Sequence, residues 1–403
     1  MHTLSARSRL VSLDVLRGLN ILVMLFVNDL AGVVGVPAWM KHISPSTADG
    51  MTFVDVVFPA FLFIAGLAVP LAIDRRLQSG ESMLRVVGRI IGRTGVLLFL
   101  GLMMVNSERI ALGLVDPRLW NLLFYTGVCL IWLGPGDRRS KFRLFAGVAM
   151  LALAVFLYRG ENSTGLIQLR SMWWGILGLI GWAYLVTGVL YLLLRGSRLG
   201  LAAAVVLLYC LYFADRAQAF GSFFGLSRWV NVGSMLGSHA AIMTSGALLG
   251  TFFSSPESDK SRLKAALGFA AVSAAAAYML HALHGLDRMF IFNKNAATPP
   301  WCLLSSAWAA AIWAAVYWLV EVKQIKIGVT LLSRAGQNAL FAFILGPIAY
   351  NLFELLPEVL NGFSPWGYLG KSFPIGLFRS LVFALSALLL TADLQRRKLF
   401  LRV

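Results

Sequence analysis

Residues 52 to 73 read TFVDVVFPAFLFIAGLAVPLAI. Asp55, close to the start, is the only ionisable side chain in the stretch. At 1.5 Å per residue such a helix is about 33 Å long, enough to cross the roughly 30 Å hydrocarbon core of a bilayer. Similar runs recur on both sides of it, near 15–37, 85–105, 119–135, 142–158, 172–194, 199–214, 235–253, 263–283, 301–320, 334–353 and 374–394. Only short polar breaks separate them, so no stretch is left for a separate soluble domain. The chain of 403 residues is 59% hydrophobic and 13% charged, with mean hydropathy +0.76, so its exterior must face lipid. The expected fold is all-α: one polytopic integral membrane helix bundle over residues 1–403. About 12 transmembrane helices are expected, with 10 to 12 as the range, and 119–158 reads as an inserted helix pair.

The formal charge of +17 would suggest nucleic-acid binding in a soluble protein. Here 24 of the 35 Lys and Arg residues fall on the N-terminal side of the twelve-span scheme, in clusters such as Arg75–Arg76–Arg85, Arg195–Arg198 and Arg396–Arg397–Lys398. That asymmetry sets orientation, with both termini cytoplasmic, and leaves no case for a nucleic-acid partner. Cys129, Cys210 and Cys302 lie in apolar runs at spacings that match no zinc or CxxC pattern. The first run carries Asn20, Asn28 and Asp29 and reads as a retained helix rather than a cleaved leader.

Polar groups inside spans are expensive unless paired or facing a cavity, so their placement points to function. Asp14 and Arg17, three apart, share one face at the start of the first helix, and Ser12 is placed to cap it. An interfacial ion pair explains Asp14 and Arg17 equally well. Asn28 stands about 17 Å beyond Arg17, toward the opposite end. His42 follows in the loop, and Asp55 opens the second helix, so Asn28, His42 and Asp55 are close enough in sequence to converge. An imidazole suits proton abstraction near neutral pH, and a carboxylate partner fixes its tautomer. Surface polarity also accounts for a lone loop histidine, and the Thr52-x-x-Asp55 spacing is a helix-start pattern in its own right. Arg85, Arg89 and Arg93 recur every four residues on one helical face, and snorkelling toward anionic lipid accounts for the first two. His239, His281 and His284 read as polar lining near the same end as His42; no third ligand completes a metal site.

The blocks Arg9–Gly18, Phe26–Asn28, Lys41–His42 and Phe53–Gly66 resemble, in order and spacing, the opening of the heparan-α-glucosaminide N-acetyltransferase family and its bacterial relatives. Trp174–Tyr184, Asn293-Lys294-Asn295, Tyr317-Trp318 with Glu321, and Gly336-Gln337-Asn338 resemble later parts of that family. The resemblance implies an acyltransferase that moves acetyl from cytosolic acetyl-CoA, across the membrane, to the amine of a terminal glucosamine or similar amino sugar. It implies His42 as catalytic base or acetyl carrier, with Asn28 and Asp55 beside it. Asn28 or the Asn293–Asn295 turn would supply donors to the thioester oxygen. Arg85, Arg89 and Arg93 would meet the phosphates of the donor, Asn338 would join the donor site, and Asp14, Arg17 and Lys294 belong to the signature. No metal is implied. The expected location is a bacterial inner (plasma) membrane, with lipid and an amino-sugar or glycan acceptor as partners. Gly88-x-x-x-Gly92 and Gly221-x-x-x-Gly225 would permit a homodimer contact.

A twelve-helix secondary transporter of a small anionic or sugar-like solute fits the helix count and the intramembrane charges equally well. The discriminating feature is the gathering of Asn28, His42 and Asp55 at one membrane face, where a transporter would more often place its polar groups near the midplane.

Overall fold

The computed structural model describes residues 10–111, 115–134, 140–160, 168–219 and 229–401. Backbone groups inside a bilayer have no water to bond, so an apolar chain satisfies them within helices. The runs form α1 (Val11–Leu30), α2 (Val54–Gln78), α3 (Met83–Ser107), α4 (Pro117–Trp132), α5 (Lys141–Leu157), α6 (Ile176–Leu193) and α7 (Arg198–Arg216). Then come α8 (Ala240–Ser254), led by a π-helical segment Val232–His239, α9 (Asp259–His281), α10 (Pro299–Tyr317), α11 (Val329–Gln337), α12 (Ala339–Val359), the short α13 (Pro365–Leu369) and α14 (Phe373–Arg396). Extended pairing among the described residues is limited to Leu133–Gly134 against Phe400–Leu401 and a bridge between Ile110 and Gly160.

The protein is an all-α polytopic membrane helix bundle. Ten helices among the described residues are long and apolar enough to cross a membrane. The expected pair within 119–158 forms α4 and α5, which at 16 and 17 residues are shorter than any of those ten. They still link the two ends of the bundle: Leu133 pairs with Leu401 at one, and Ile110 bridges Gly160 at the other. The end holding Leu10 and Leu401 is called proximal below, and the end holding His42 distal.

Two spans depart most from the sequence reading. The first helix, expected over 15–37, spans Val11–Leu30; beyond it Gly35 takes φ 78° and Pro37 supplies no backbone donor, so the chain turns. Ser12 therefore lies inside the helix rather than capping it, and its N–H donates to Glu321 Oε1 at 2.9 Å. The span expected at 334–353 is broken at Asn338, where φ −117° and ψ 35° separate α11 from α12. The Asn338 side chain repairs that break by donating to Leu399 O (3.1 Å) and accepting from Leu401 N–H (3.0 Å).

At the centre, α2 packs on α8 backbone to backbone. A Cβ at Gly66 would overlap the carbonyl oxygen of Met243, and one at Gly246 that of Phe63, so only glycine permits the approach. Gly18 and Gly336 do the same for α1 against α11. Gly88 and Gly92, by contrast, face open space on the outside of α3, and Gly221–Gly225 lie outside the described residues. Replacing Gly66 by Val should force α2 from α8 and lower the thermal unfolding midpoint of the detergent-purified protein. Gly92→Val should leave that midpoint near wild type. The expected difference is about 1–3 kcal/mol or more, read from thermal unfolding followed by size-exclusion chromatography.

Candidate functional site

The loop between α1 and α2 is held by the carboxylate that opens α2. Asp55, 1% exposed, accepts from Thr52 N–H (3.0 Å), Ile43 N–H (3.2 Å) and the Thr52 hydroxyl (3.3 Å) through Oδ2. Thr52 Oγ1 in turn accepts from Val54 N–H at 3.2 Å. Of the helix-start arrangement that the Thr-x-x-Asp spacing predicts, the half in which Asp55 takes Thr52 N–H forms, while Asp55 N–H goes to Thr52 O at 3.1 Å. This commits Oδ2 and leaves Oδ1 for His42 Nδ1, 2.7 Å away. A carboxylate on Nδ1 favours the tautomer with the proton there, leaving Nε2 as the unprotonated nitrogen.

Lys294 arrives from the loop between α9 and α10. Its Nζ lies 3.1 Å from His42 Nδ1, 3.3 Å from Nε2 and 3.8 Å from Asp55 Oδ1. Burial holds the Lys294 ammonium below the ordinary lysine range, and the neighbouring Asp55 carboxylate opposes that fall.

The two loops are knitted together by Asn293 and Asn295. Asn293 Nδ2 donates to Ser46 O and Ala48 O, both at 3.0 Å, while its Oδ1 accepts from Ala296 N–H at 2.9 Å. Asn295 Nδ2 donates to Ser46 O at 3.0 Å. Asp49 accepts from Phe292 N–H at 2.8 Å and meets His281 Nε2 at 2.8 Å. His281, with His284 stacked on it, thus bonds the distal loops, and neither is among the residues that line the cavity His42 faces.

Asn28, His42, Lys294 and Asn295 face one cavity of about 370 Å³, walled by Phe58, Trp174, Asn231 and His239. The Asn28 and His42 of the sequence reading therefore line one cavity, with Asp55 bonded to the imidazole. Asn28 is aimed by its neighbour. Asp29 turns the other way into the bundle and takes Arg379 Nη2 (3.0 Å), Arg379 Nε (3.2 Å) and the Ser380 hydroxyl (2.6 Å). Arg379 is the lone basic side chain in an apolar run, a signal that a buried partner exists, though not which one.

The remaining expected residues lie elsewhere. Arg85, Arg89 and Arg93 are exposed on the proximal half of α3; Arg89 pairs with Glu81 at 2.6 Å, and the Arg93 guanidinium stands 4.9 Å from the Tyr184 ring centre. Asp14 and Arg17 pair at 3.0 Å, and Gln337 donates to Asp14 at 3.3 Å, all at the proximal end with Asn338. Trp174, Asn231 and His239 join the cavity only through folding, because the segments that carry them are distant in sequence.

The arrangement defines a polytopic membrane protein with a buried carboxylate, an imidazole and an amine converging on a distal cavity. A family profile described as "Domain of unknown function (DUF5009)" matches residues 9–158. Heparan-alpha-glucosaminide N-acetyltransferase of Mus musculus is 36% identical over 124 residues, 31% of this chain and 17% of that protein. The protein of the same name from Homo sapiens is 36% identical over 120 residues, 30% of this chain and 17% of its own length. The chain thus matches about a sixth of the length of these curated relatives, and the likeness read from residues 9–66 is to the same named protein.

Two outcomes are expected from this geometry. Asn293→Ala should free residues 43–52, raising hydrogen exchange at Ile43, Gly50 and Thr52 while leaving α3 to α7 unchanged; losing a buried donor pair costs about 1–3 kcal/mol. In amine-labelling mass spectrometry, the pH midpoint for Lys294 should fall below the ordinary lysine range. Asp55→Ala should lower it further, since removing the carboxylate removes the charge that favours the ammonium.

Proposed function

We propose that this chain is a transmembrane acetyltransferase that takes acetyl from cytosolic acetyl-CoA and delivers it to an amine, an amino sugar above all, on the distal side. The observation that carries this reading is the His42 imidazole, backed by Asp55 and facing a cavity shared with Asn28 and Lys294. The named relatives support the reaction class. The basic loops at the proximal end support a cytosolic proximal face, which puts His42 outside.

In the reaction, an uncharged amine attacks the thioester carbonyl, the new C–N bond forms and the C–S bond breaks. His42 Nε2 takes the proton released by the amine, and the departing thiolate is protonated to free CoA. Asp55 stabilises the imidazolium formed, without leaving its place at the helix start. The negative charge that develops on the thioester oxygen needs donors already in position. Asn28, Asn295 and Lys294 line the cavity where that oxygen would sit. Asn293 serves the site from behind, by fixing the loop that carries His42. Of the expected donor-site residues, exposed Arg85, Arg89 and Arg93 are the groups suited to phosphates at the proximal face. Asn338 has both amide atoms engaged at the α11–α12 break, so its part is to hold that break closed.

Purified protein given radiolabelled acetyl-CoA and glucosamine should form labelled N-acetylglucosamine and free CoA. His42→Ala should lower the rate by about a hundredfold or more while acetyl-CoA still binds, in keeping with loss of a general base. A wild-type protein that neither binds acetyl-CoA nor releases CoA to any amine would sink the reading, and a solute-uptake assay in liposomes would then be the next measurement.

A further inference from the structure

A second cavity, of about 450 Å³, lies across α2 from the first. Its walls are Leu19 and Val23 of α1, Val56 and Ala60 of α2, and Trp308 and Ile312 of α10. The polar groups on it are Asn20, whose amide is given to Val57 O at 3.1 Å, and Thr52 at the distal rim. Trp308, Ile312 and Phe53 are 54%, 39% and 40% exposed, so the cavity is a groove open sideways to the hydrocarbon rather than a closed void. From Phe53 to Ile64 it follows α2 for about 16 Å, roughly one leaflet of the bilayer. It occupies the distal leaflet, the side on which the acceptor must stand.

The groove and the reaction cavity share Val57 as a common wall. Its upper end is Thr52, whose hydroxyl also bonds Lys41 O at 2.7 Å and Asp55 at 3.3 Å. A chain lying in the groove with its polar head upward therefore emerges beside His42. A groove that opens into the bilayer core is filled by what the bilayer supplies. Within a membrane that filler is a hydrocarbon chain.

We propose that the acceptor amine is carried on a lipid: an acyl or isoprenoid chain occupies the groove between α1, α2 and α10 and presents its amino-sugar head to His42. The proposal rests on the acetyl-transfer reading and adds the acceptor class. A chain gains little free energy by moving from bilayer to groove, since both are apolar. The gain is alignment and a raised effective concentration of the amine at the imidazole. The chain takes no part in bond making, which stays between the amine nitrogen and the acetyl carbon.

The test compares methyl glucosaminide with dodecyl glucosaminide as acceptors, in nanodiscs, for wild type, Ile312→Trp and Leu19→Trp. Partition of the dodecyl substrate into the disc is the same for every protein, so a difference between proteins reports the groove. Wild type should prefer the dodecyl acceptor in kcat/KM. Each Trp variant, by filling the groove, should lose about tenfold of kcat/KM on it while keeping the methyl acceptor rate within about twofold. The retained methyl rate also shows that the variant is folded. Equal loss on both acceptors, or no loss on either in both variants, overturns the lipid-linked acceptor while leaving acetyl transfer standing. Failure of wild type to acetylate even the methyl acceptor or release CoA is the separate result that removes the acetyl-transfer reading and this proposal with it.

Discussion

A single buried carboxylate organises the distal end of this protein. Asp55 is 1% exposed, and a carboxylate in such a place is tolerable only when its oxygens are occupied. Two backbone N–H groups, a hydroxyl, an imidazole and an ammonium answer that demand. Each of these partners comes from a different part of the turn or from the opposing loop, so satisfying Asp55 fixes where His42 and Lys294 stand. The helix start and the anchor of the His42 ring are one structure. The lone-pair geometry of a carboxylate lets it serve both roles at once, one oxygen for the backbone and one for the ring.

The loops around it are irregular, and in a membrane protein irregular backbone is permitted only where it is wetted or internally bonded. The 43–52 segment meets this condition through Asn293, Asn295 and Asp49, which bond backbone atoms across the two loops. Behind it, Asp29 and Arg379 neutralise one another between α1 and α14, with the guanidinium also bonded to Trp366 O at 2.8 Å and lying over that ring. Breaking such a pair would leave one charge buried without its counterpart, so both helices are tied at the level of the cavity. Asn28 faces the cavity because Asp29, one residue on, is held facing away.

Much of this was legible in the sequence because the bilayer imposes a length and a composition on every span. The spans at 52–73 and 172–194, the α4–α5 pair and the nearness of Asn28, His42 and Asp55 all follow from local rules. The break at Asn338 did not, since the residue that repairs it bonds to Leu399 and Leu401, some sixty positions away. The Asp29–Arg379 pair spans 350 residues for the same reason. Lys294 was visible as part of a motif, but nothing local says that its amine closes on His42. Trp174, Asn231 and His239 reach the cavity from helix ends whose register against α2 depends on contacts such as Gly66 with Gly246.

That register gives α2 its central place. Successive residues of a helix point about 100° apart, so Val54, Phe58 and Phe61 turn to the polar cavity while Val56, Ala60 and Ile64 turn to the apolar groove. Val57 lies between them and belongs to both. The glycine contact with α8 fixes the rotation of α2, and a rotation of one residue's worth would carry Asp55 away from His42 and set Val57 facing only one side. The same packing that holds the carboxylate against the imidazole therefore also sets Val57 as the wall between the cavity and the groove. The polar cavity on one face of α2 and the apolar groove on the other are a consequence of one helix orientation, set by backbone contact at Gly66.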